Sequence, residues 1–212
     1  EIGRQSGVKV HFSHHRTNAS NAGNIPEIID DIDKAKDQGV DVTLELYPYP
    51  TGSTYPLSFL PSFAHEGGPE QVLNRLNNPV EFERIVNTMR EELSPYRINA
   101  FDDAIFSYSP NNKNLEGMSL SDIAEQNNQS TAITLCELLR DTELELGYWQ
   151  SPPKNVSVWN QVNEDAVSLL KRDDYMVGSD SIPMGEFCHP RAYGCFLRFL
   201  GRLRTKHRSD GF

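Results

Sequence analysis

The sequence has no apolar run approaching the ~20 residues that a membrane-spanning helix needs, so it contains no helical membrane anchor. Positive charge is scarce. Only 20 Lys and Arg stand against 30 Asp and Glu in 212 residues, a formal net charge of −10, and phosphate-backbone binding needs a basic face. No nucleic-acid partner and no membrane partner are expected. The three cysteines, Cys136, Cys188 and Cys195, are too few and too scattered for a disulfide framework or a Cys-rich zinc module. A reducing, cytoplasmic setting follows as the expectation. Residues 1–9 hold no apolar core of the kind a secretory signal carries, and internal repeats and low-complexity tracts are missing.

What is present suits a folded chain: 37% hydrophobic and 24% charged residues. Val8–Ser13 is β-branched and alternating, which predicts a strand. A polar loop leads to a helix opened by Pro26, running through Ile28, Ile29, Ile32 and Ala35 and closed by Gly39. A second strand follows over Val40–Leu46. Strand, helix and strand in so short a stretch read as a βαβ unit with parallel pairing.

Tyr47–Gly68 is a long loop dense in Pro, Gly and aromatics, the kind that is usually functional. Helices are expected over Pro69–Leu76 and Val80–Leu93, and strands over Arg97–Ala100 and Ala104–Tyr108. Ser119 with Asp122 three residues on reads as a capped helix start. Further on, the pattern predicts a helix over Ala132–Leu146, a short strand over Val156–Trp159 and a helix over Asn163–Arg172 capped by Asn163. A strand over Tyr175–Asp180 and a mostly helical Arg191–Lys206 complete an α/β rhythm.

Three polar clusters fall where strands end: Ser13-His14-His15-Arg16, Tyr47-Pro48-Tyr49 through Ser53-Thr54, and Ser179-Asp180. Parallel sheets and barrels gather ligands and catalytic groups at the carboxyl ends of their strands, so the three together point to a (β/α) barrel or part of one. In strand geometry His14 and His15 face opposite ways, so at most one of them points into a barrel mouth as a metal ligand. The alternative is a surface histidine pair. Asp180 suits proton transfer or metal ligation; the alternative is a turn aspartate. Arg191 suits a bidentate grip on a carboxylate, and otherwise is an ordinary surface arginine. Cys188 and Cys195 are expected to be buried small hydrophobes.

These segments, in this order, resemble the N-acyl-D-amino-acid deacylases (D-aminoacylases) of the amidohydrolase superfamily. The resemblance rests on Ser13-His14-His15-Arg16, Tyr47-Pro48-Tyr49-Pro50-Thr51-Gly52-Ser53-Thr54, Val177-Gly178-Ser179-Asp180 and His189-Pro190-Arg191-Ala192-Tyr193-Gly194. Gly117 to Ala124 and Phe196 to Gly201 extend it over nearly the whole chain. The resemblance implies an α/β fold, the C-terminal half (about strands 5 to 8) of a (β/α)8 TIM-type, metal-dependent amidohydrolase barrel. It implies zinc as cofactor, with His14 a ligand from the fifth strand. It casts Asp180 as the group that takes a proton from the attacking water and returns it to the leaving amine, and Arg191 as the grip on the substrate's α-carboxylate. The substrate would be a small N-acylated D-amino acid.

Two departures stand out. Arg16 takes the place of the family's usual Lys, and no His occurs between Val40 and Pro50, where the family draws a sixth-strand ligand. Glu45, Tyr47 and Tyr49 stand nearest that place, and His65 lies deep in a loop. The chain begins at Glu1 and ends at Phe212, and the resemblance leaves the family's upstream barrel half and small β-domain unmatched. Residues 1–212 are therefore expected to be one partial barrel domain of a longer protein, with exposed sheet edges and little activity alone. The alternatives are a deacylase of N-acyl-D-glutamate or D-aspartate, a cyclic-amide hydrolase, and a non-catalytic binding protein of the same fold.

Overall fold

The computed structural model of the chain describes residues 1–92 and 101–203, apart from the side chains of Glu92 and Arg202. In chain order the helices are α1 (Ile2–Ser6), α2 (Ile25–Asp37), α3 (Pro69–Asn77), α4 (Pro79–Glu92), α5 (Leu120–Gln126), α6 (Thr131–Asp141), α7 (Val156–Leu169) and α8 (Arg191–Leu197). The strands are β1 (Val10–Phe12), β2 (Val42–Leu46), β3 (Ser53–Thr54), β4 (Ala104–Tyr108), β5 (Gly147–Gln150) and β6 (Tyr175–Val177). The chain divides into two compact units, one of residues 1–51, 152–181 and 190–212, the other of residues 52–151 and 182–189.

The first unit holds a parallel sheet of order β1-β2-β6, with Phe12 opposite Leu44 and Leu46 opposite Val177. The predicted βαβ unit is there. Pro26 sits in the first turn of α2, and Gly39, at φ 86°, turns the chain straight from α2 back into β2. Along β2 the alternation sorts the faces: Val42, Leu44 and Leu46 are buried, Thr43 is exposed and Glu45 lies between. The apolar face packs with Ile29 and Ile32 of α2, Ala166 and Leu169 of α7, and Tyr175. Each such side chain, fully buried, contributes about 1.5–3 kcal/mol. His11 and Thr43 are register partners on the opposite, polar face, which leaves that face free to carry chemistry at the strand ends.

The second unit packs α3, α4, α5 and α6 with an antiparallel sheet of order β3-β5-β4. Its core includes Phe59, Leu76, Ile85, Met89, Phe101, Phe106, Leu135 and Tyr148. Phe59 meets the rings of Phe101 and Tyr148 at 4.9 and 5.0 Å between centroids.

Several expectations need correction. Ala104–Tyr108 is a strand, but in the antiparallel sheet, so three parallel strands rather than four stand among the described residues. Val156–Trp159 is the first turn of α7, and Asn155, not Asn163, is its cap, accepting from the Ser157 amide at 2.9 Å. Asn163 is buried inside the helix. α6 ends at Asp141, five residues early, because Glu143 and Leu144 take left-handed backbone, and Gly147 opens β5 instead of stopping a helix. The strand expected over Arg97–Ala100 lies outside the described residues, as does the end of the helix expected to reach Lys206; α8 gives way to a π-helical turn over Arg198–Leu203. The Ser119 cap forms as expected, accepting from the Asp122 amide at 3.1 Å.

Candidate functional site

All three predicted site residues belong to the parallel-sheet unit. His14 follows β1 and Asp180 follows β6, each just past the carboxyl end of its strand. Both take the left-handed backbone region, at φ 45° and 44°. That conformation costs a non-glycine residue roughly 1–2 kcal/mol and persists only where the surroundings enforce it; such outliers gather at functional sites. For His14 the enforcement is local. The His15 amide donates to the Glu45 carbonyl at 2.8 Å, so the chain turns as it leaves the sheet. The His15 ring is spent on the Ile28 carbonyl at 2.8 Å, which leaves His14, exposed, as the histidine of the pair with its ring outside that contact.

Asp180 and Arg191 are brought together. Arg191 Nη1 lies 2.8 Å from Asp180 Oδ2, with the arginine side chain 1% exposed and the carboxylate 32%. The Arg191 guanidinium also lies over the Tyr47 ring at 4.4 Å, a contact of the cation–π kind. Tyr47 is itself held, because Arg16 donates to its hydroxyl at 3.1 Å and sits 4.7 Å from the ring centroid. Arg16 is anchored in turn by the Thr17 and Pro50 carbonyls at 3.1 and 3.3 Å. A chain of contacts thus runs Arg16–Tyr47–Arg191–Asp180, through all three strand-end clusters.

A second set of contacts fixes α8 against the β6 end. Burial pushes the Cys195 thiol up to about 11, so it stays protonated at neutral pH and donates to the Gly178 carbonyl at 2.9 Å. Arg198 covers the Tyr49 ring at 4.8 Å and donates to the Asn163 side chain at 2.9 Å. Gly194 lets Tyr49 come close: a Cβ there would stand 2.6 Å from the Tyr49 hydroxyl, which would have to shift. Cys195 is buried as expected, and Cys188 is partly exposed. His65 meets the Leu60 carbonyl at 3.4 Å in the other unit.

One supporting residue had no signal in the sequence. Asp165, 3% exposed in α7, accepts from Thr17 Oγ at 2.7 Å, the Gly23 amide at 2.7 Å and Gln161 at 2.9 Å. It ties down the loop that follows His14. A helix-interior aspartate reads from sequence as solvated, and only the fold shows what it holds.

Among the described residues, no three His, Cys, Asp or Glu side chains gather closely enough to hold a metal ion. The donor set of these residues, with an exposed His14 and an Asp180 turned to Arg191, does not by itself fit a zinc site.

Comparison with known proteins supplies the context. No family model matches the chain. A curated N-acyl-D-glutamate deacylase from Alcaligenes xylosoxydans xylosoxydans is 25% identical over 205 residues, covering 95% of this chain and 31% of the relative. The crystal structure of N-acyl-D-glutamate deacylase from Bordetella bronchiseptica, complexed with zinc and a phosphonate mimic of the tetrahedral intermediate, superposes with a TM-score of 0.63. It is 25% identical, covering 98% of this chain and 33% of that one. A D-aminoacylase structure concerned with a binuclear metal centre gives a TM-score of 0.62 at 23% identity, with the same coverage, which shows likeness of fold. The chain spans about a third of the length of the relatives it matches. The resemblance carried by the motifs is borne out: this chain is similar to N-acyl-D-glutamate deacylases, is mixed α/β, and is like D-aminoacylases in fold.

Proposed function

We propose that the chain is part of a hydrolase that cleaves the amide of N-acyl-D-amino acids to a carboxylate and a D-amino acid, and that residues 1–212 form part of its (β/α) barrel. The observation that supports this most is the Asp180–Arg191 pair at the end of a parallel strand, with Asp180 in left-handed backbone, in a chain similar to such enzymes over nearly its whole length. Zinc enters this reading as the expected cofactor, with His14 as one donor and the rest of the set outside the described residues.

Asp180 is the proton carrier. Its carboxylate is one-third exposed, open to a water on one side and fixed by Arg191 on the other. A carboxylate so held accepts the proton of an attacking water and returns it to the departing amine. Arg191 orients that carboxylate and, through its fork of N–H groups, offers recognition to the substrate's α-carboxylate. An arginine suits a substrate with a free acid better than a neutral ring, which favours linear N-acyl amino acids over cyclic amides.

The test uses the full-length product of the gene. Its zinc content is measured together with hydrolysis of N-acetyl-D-methionine, N-acetyl-D-glutamate and their L-enantiomers. D-selective turnover is expected, and Asp180→Asn is expected to cut kcat by about 10²–10⁴ while KM stays within a few-fold. Turnover that ignores the configuration, or that survives Asp180→Asn, overturns the reading.

A further inference from the structure

The two left-handed turns that carry His14 and Asp180 leave the sheet from β1 and β6, the strands that flank β2. One side chain of β2 reaches both. Ser13, immediately before His14, donates its hydroxyl to Glu45 Oε1 at 2.7 Å. The main chain of the same residue is engaged as well, since the His15 amide donates to the Glu45 carbonyl at 2.8 Å. The residue after Ser13 is thus bracketed between a side-chain and a backbone bond to one glutamate. On the other flank the Glu45 carboxylate lies against the backbone of Gly178, two residues before Asp180. A Cβ at Gly178 would stand 2.5 Å from Oε2 and 2.7 Å from Cδ, distances that real side chains do not tolerate. The Gly178 amide meanwhile bonds to the Leu46 carbonyl at 2.9 Å, so strand pairing presses Gly178 onto the carboxylate. His11 also faces this carboxylate, with Nε2 3.9 Å from Oε2, and is steadied by Thr43 at 2.8 Å.

We infer that Glu45 is a positioning residue that sets both turns together: through Ser13 it fixes the turn of His14, and through contact with Gly178 it fixes the approach to Asp180. The inference rests on the hydrolase reading for its functional consequence, while its structural content stands apart from it. Glycine at 178 leaves the carboxylate the space that a side chain would take, so a Cβ there would push the carboxylate away. A charge-assisted bond from a hydroxyl to a carboxylate is stronger than its neutral counterpart, and a site built on supports of this kind holds its geometry before substrate arrives. Loss of the support moves reacting groups without removing any of them, so it is expected to appear in kcat more than in KM.

The experiment compares Glu45→Ala, Glu45→Gln, Ser13→Ala, Gly178→Ala and the double variant Glu45→Ala/Gly178→Ala in the full-length protein. It records amide ¹H–¹⁵N signals and hydrolysis of N-acetyl-D-amino acids. Glu45→Ala is expected to shift the signals of His14 and His15 and also those of Ser179 and Asp180, and to lower kcat about tenfold or more with KM within threefold. Glu45→Gln, which keeps an acceptor oxygen for Ser13, is expected to recover most of both. Ser13→Ala is expected to move the His14 turn alone, and it serves as the reporter if Glu45→Ala does not fold. Gly178→Ala, which displaces the carboxylate, is expected to shift the signals of both turns and to add less than twofold once Glu45 is alanine. Signals that move at one turn only in Glu45→Ala, or penalties of Glu45→Ala and Gly178→Ala that multiply independently, overturn the inference. If the wild-type protein hydrolyses no N-acyl-D-amino acid, the hydrolase reading has failed, and the amide signals alone decide the role of Glu45.

Discussion

Arg191 is asked to do two things, and they can be separated by chemistry. Its guanidinium is buried, sits over Tyr47 and meets Asp180, so it orients the carboxylate that moves the proton. If it also grips the substrate's α-carboxylate, Arg191→Lys is expected to raise KM for N-acetyl-D-amino acids and to lower kcat, because an ammonium cannot keep the planar, forked geometry. With the methyl ester of the same substrate the KM effect should vanish while the kcat effect remains. Steady-state kinetics on the two substrates reads this directly, and an equal rise of KM on both would leave only the orienting role. Asp165 offers a test that touches no substrate. Asp165→Ala leaves the buried Thr17 hydroxyl and the part-buried Gly23 amide without their acceptor, a loss of about 1–3 kcal/mol by denaturant unfolding. The placement of His14 and Asp180 just past strand ends was legible because strand pattern and polar cluster meet there, while the contact of Asp180 with Arg191, the first residue of α8, was not. Asp165 was not, since its bond to Thr17 spans 148 residues and nothing local announces it.

The helix α7 shows how local propensity is overruled. Val156-Ser157-Val158-Trp159 is β-branched and aromatic, which reads as a strand, yet it forms the first turn of a helix. The reason lies one residue earlier. Asn155 accepts from both the amide and the hydroxyl of Ser157, at 2.9 and 2.8 Å, and so closes the amino end of the helix. Downstream, Val162, Ala166 and Leu169 then fall on the buried face at helical spacing. Asn155→Ala is therefore expected to destabilise the chain by about 1 kcal/mol, with a lower Tm and early loss of helical signal at 222 nm. A strand at this place would show no such response. The antiparallel sheet was hidden for a related reason. Gly147 follows an amphipathic helix and reads as its stop, but Glu143 and Leu144 have already ended the helix in left-handed backbone, and Gly147 starts β5. By contrast the βαβ unit, with Pro26, Gly39 and alternating strands, was legible because every local signal agrees with the tertiary one.

Acid should weaken the fold through one network at the end of the sheet away from the candidate site. Arg172 grips Asp33 with both terminal nitrogens, at 2.5 and 3.1 Å, and reaches Asp174 with Nε and Nη2, each at 3.0 Å, while Lys36 also bonds Asp174. Burial alone would raise the Asp174 carboxyl. The hydrogen bonds and charges of Arg172 and Lys36 outweigh it and hold the group at about 2, below its ordinary 3.8. The same contacts push Arg172 further up. A carboxyl with a depressed folded-state pKa binds protons less readily folded than unfolded, so its stabilisation is complete above pH ~4–5 and is lost as pH falls through about 2. With Asp174 only 10% exposed but its partners about one-third exposed, screening trims the effect to about 1–2 kcal/mol. Denaturant unfolding of the wild type should therefore lose that increment between pH 5 and 2, beyond what the remaining carboxylates contribute. Asp174→Asn should already lack the increment at pH 7 and show an acid limb flatter by the same amount. If the two proteins lose stability in parallel as pH falls, the bonds from Arg172 and Lys36 do not outlast solvent competition, and the sheet end is held by its apolar face alone.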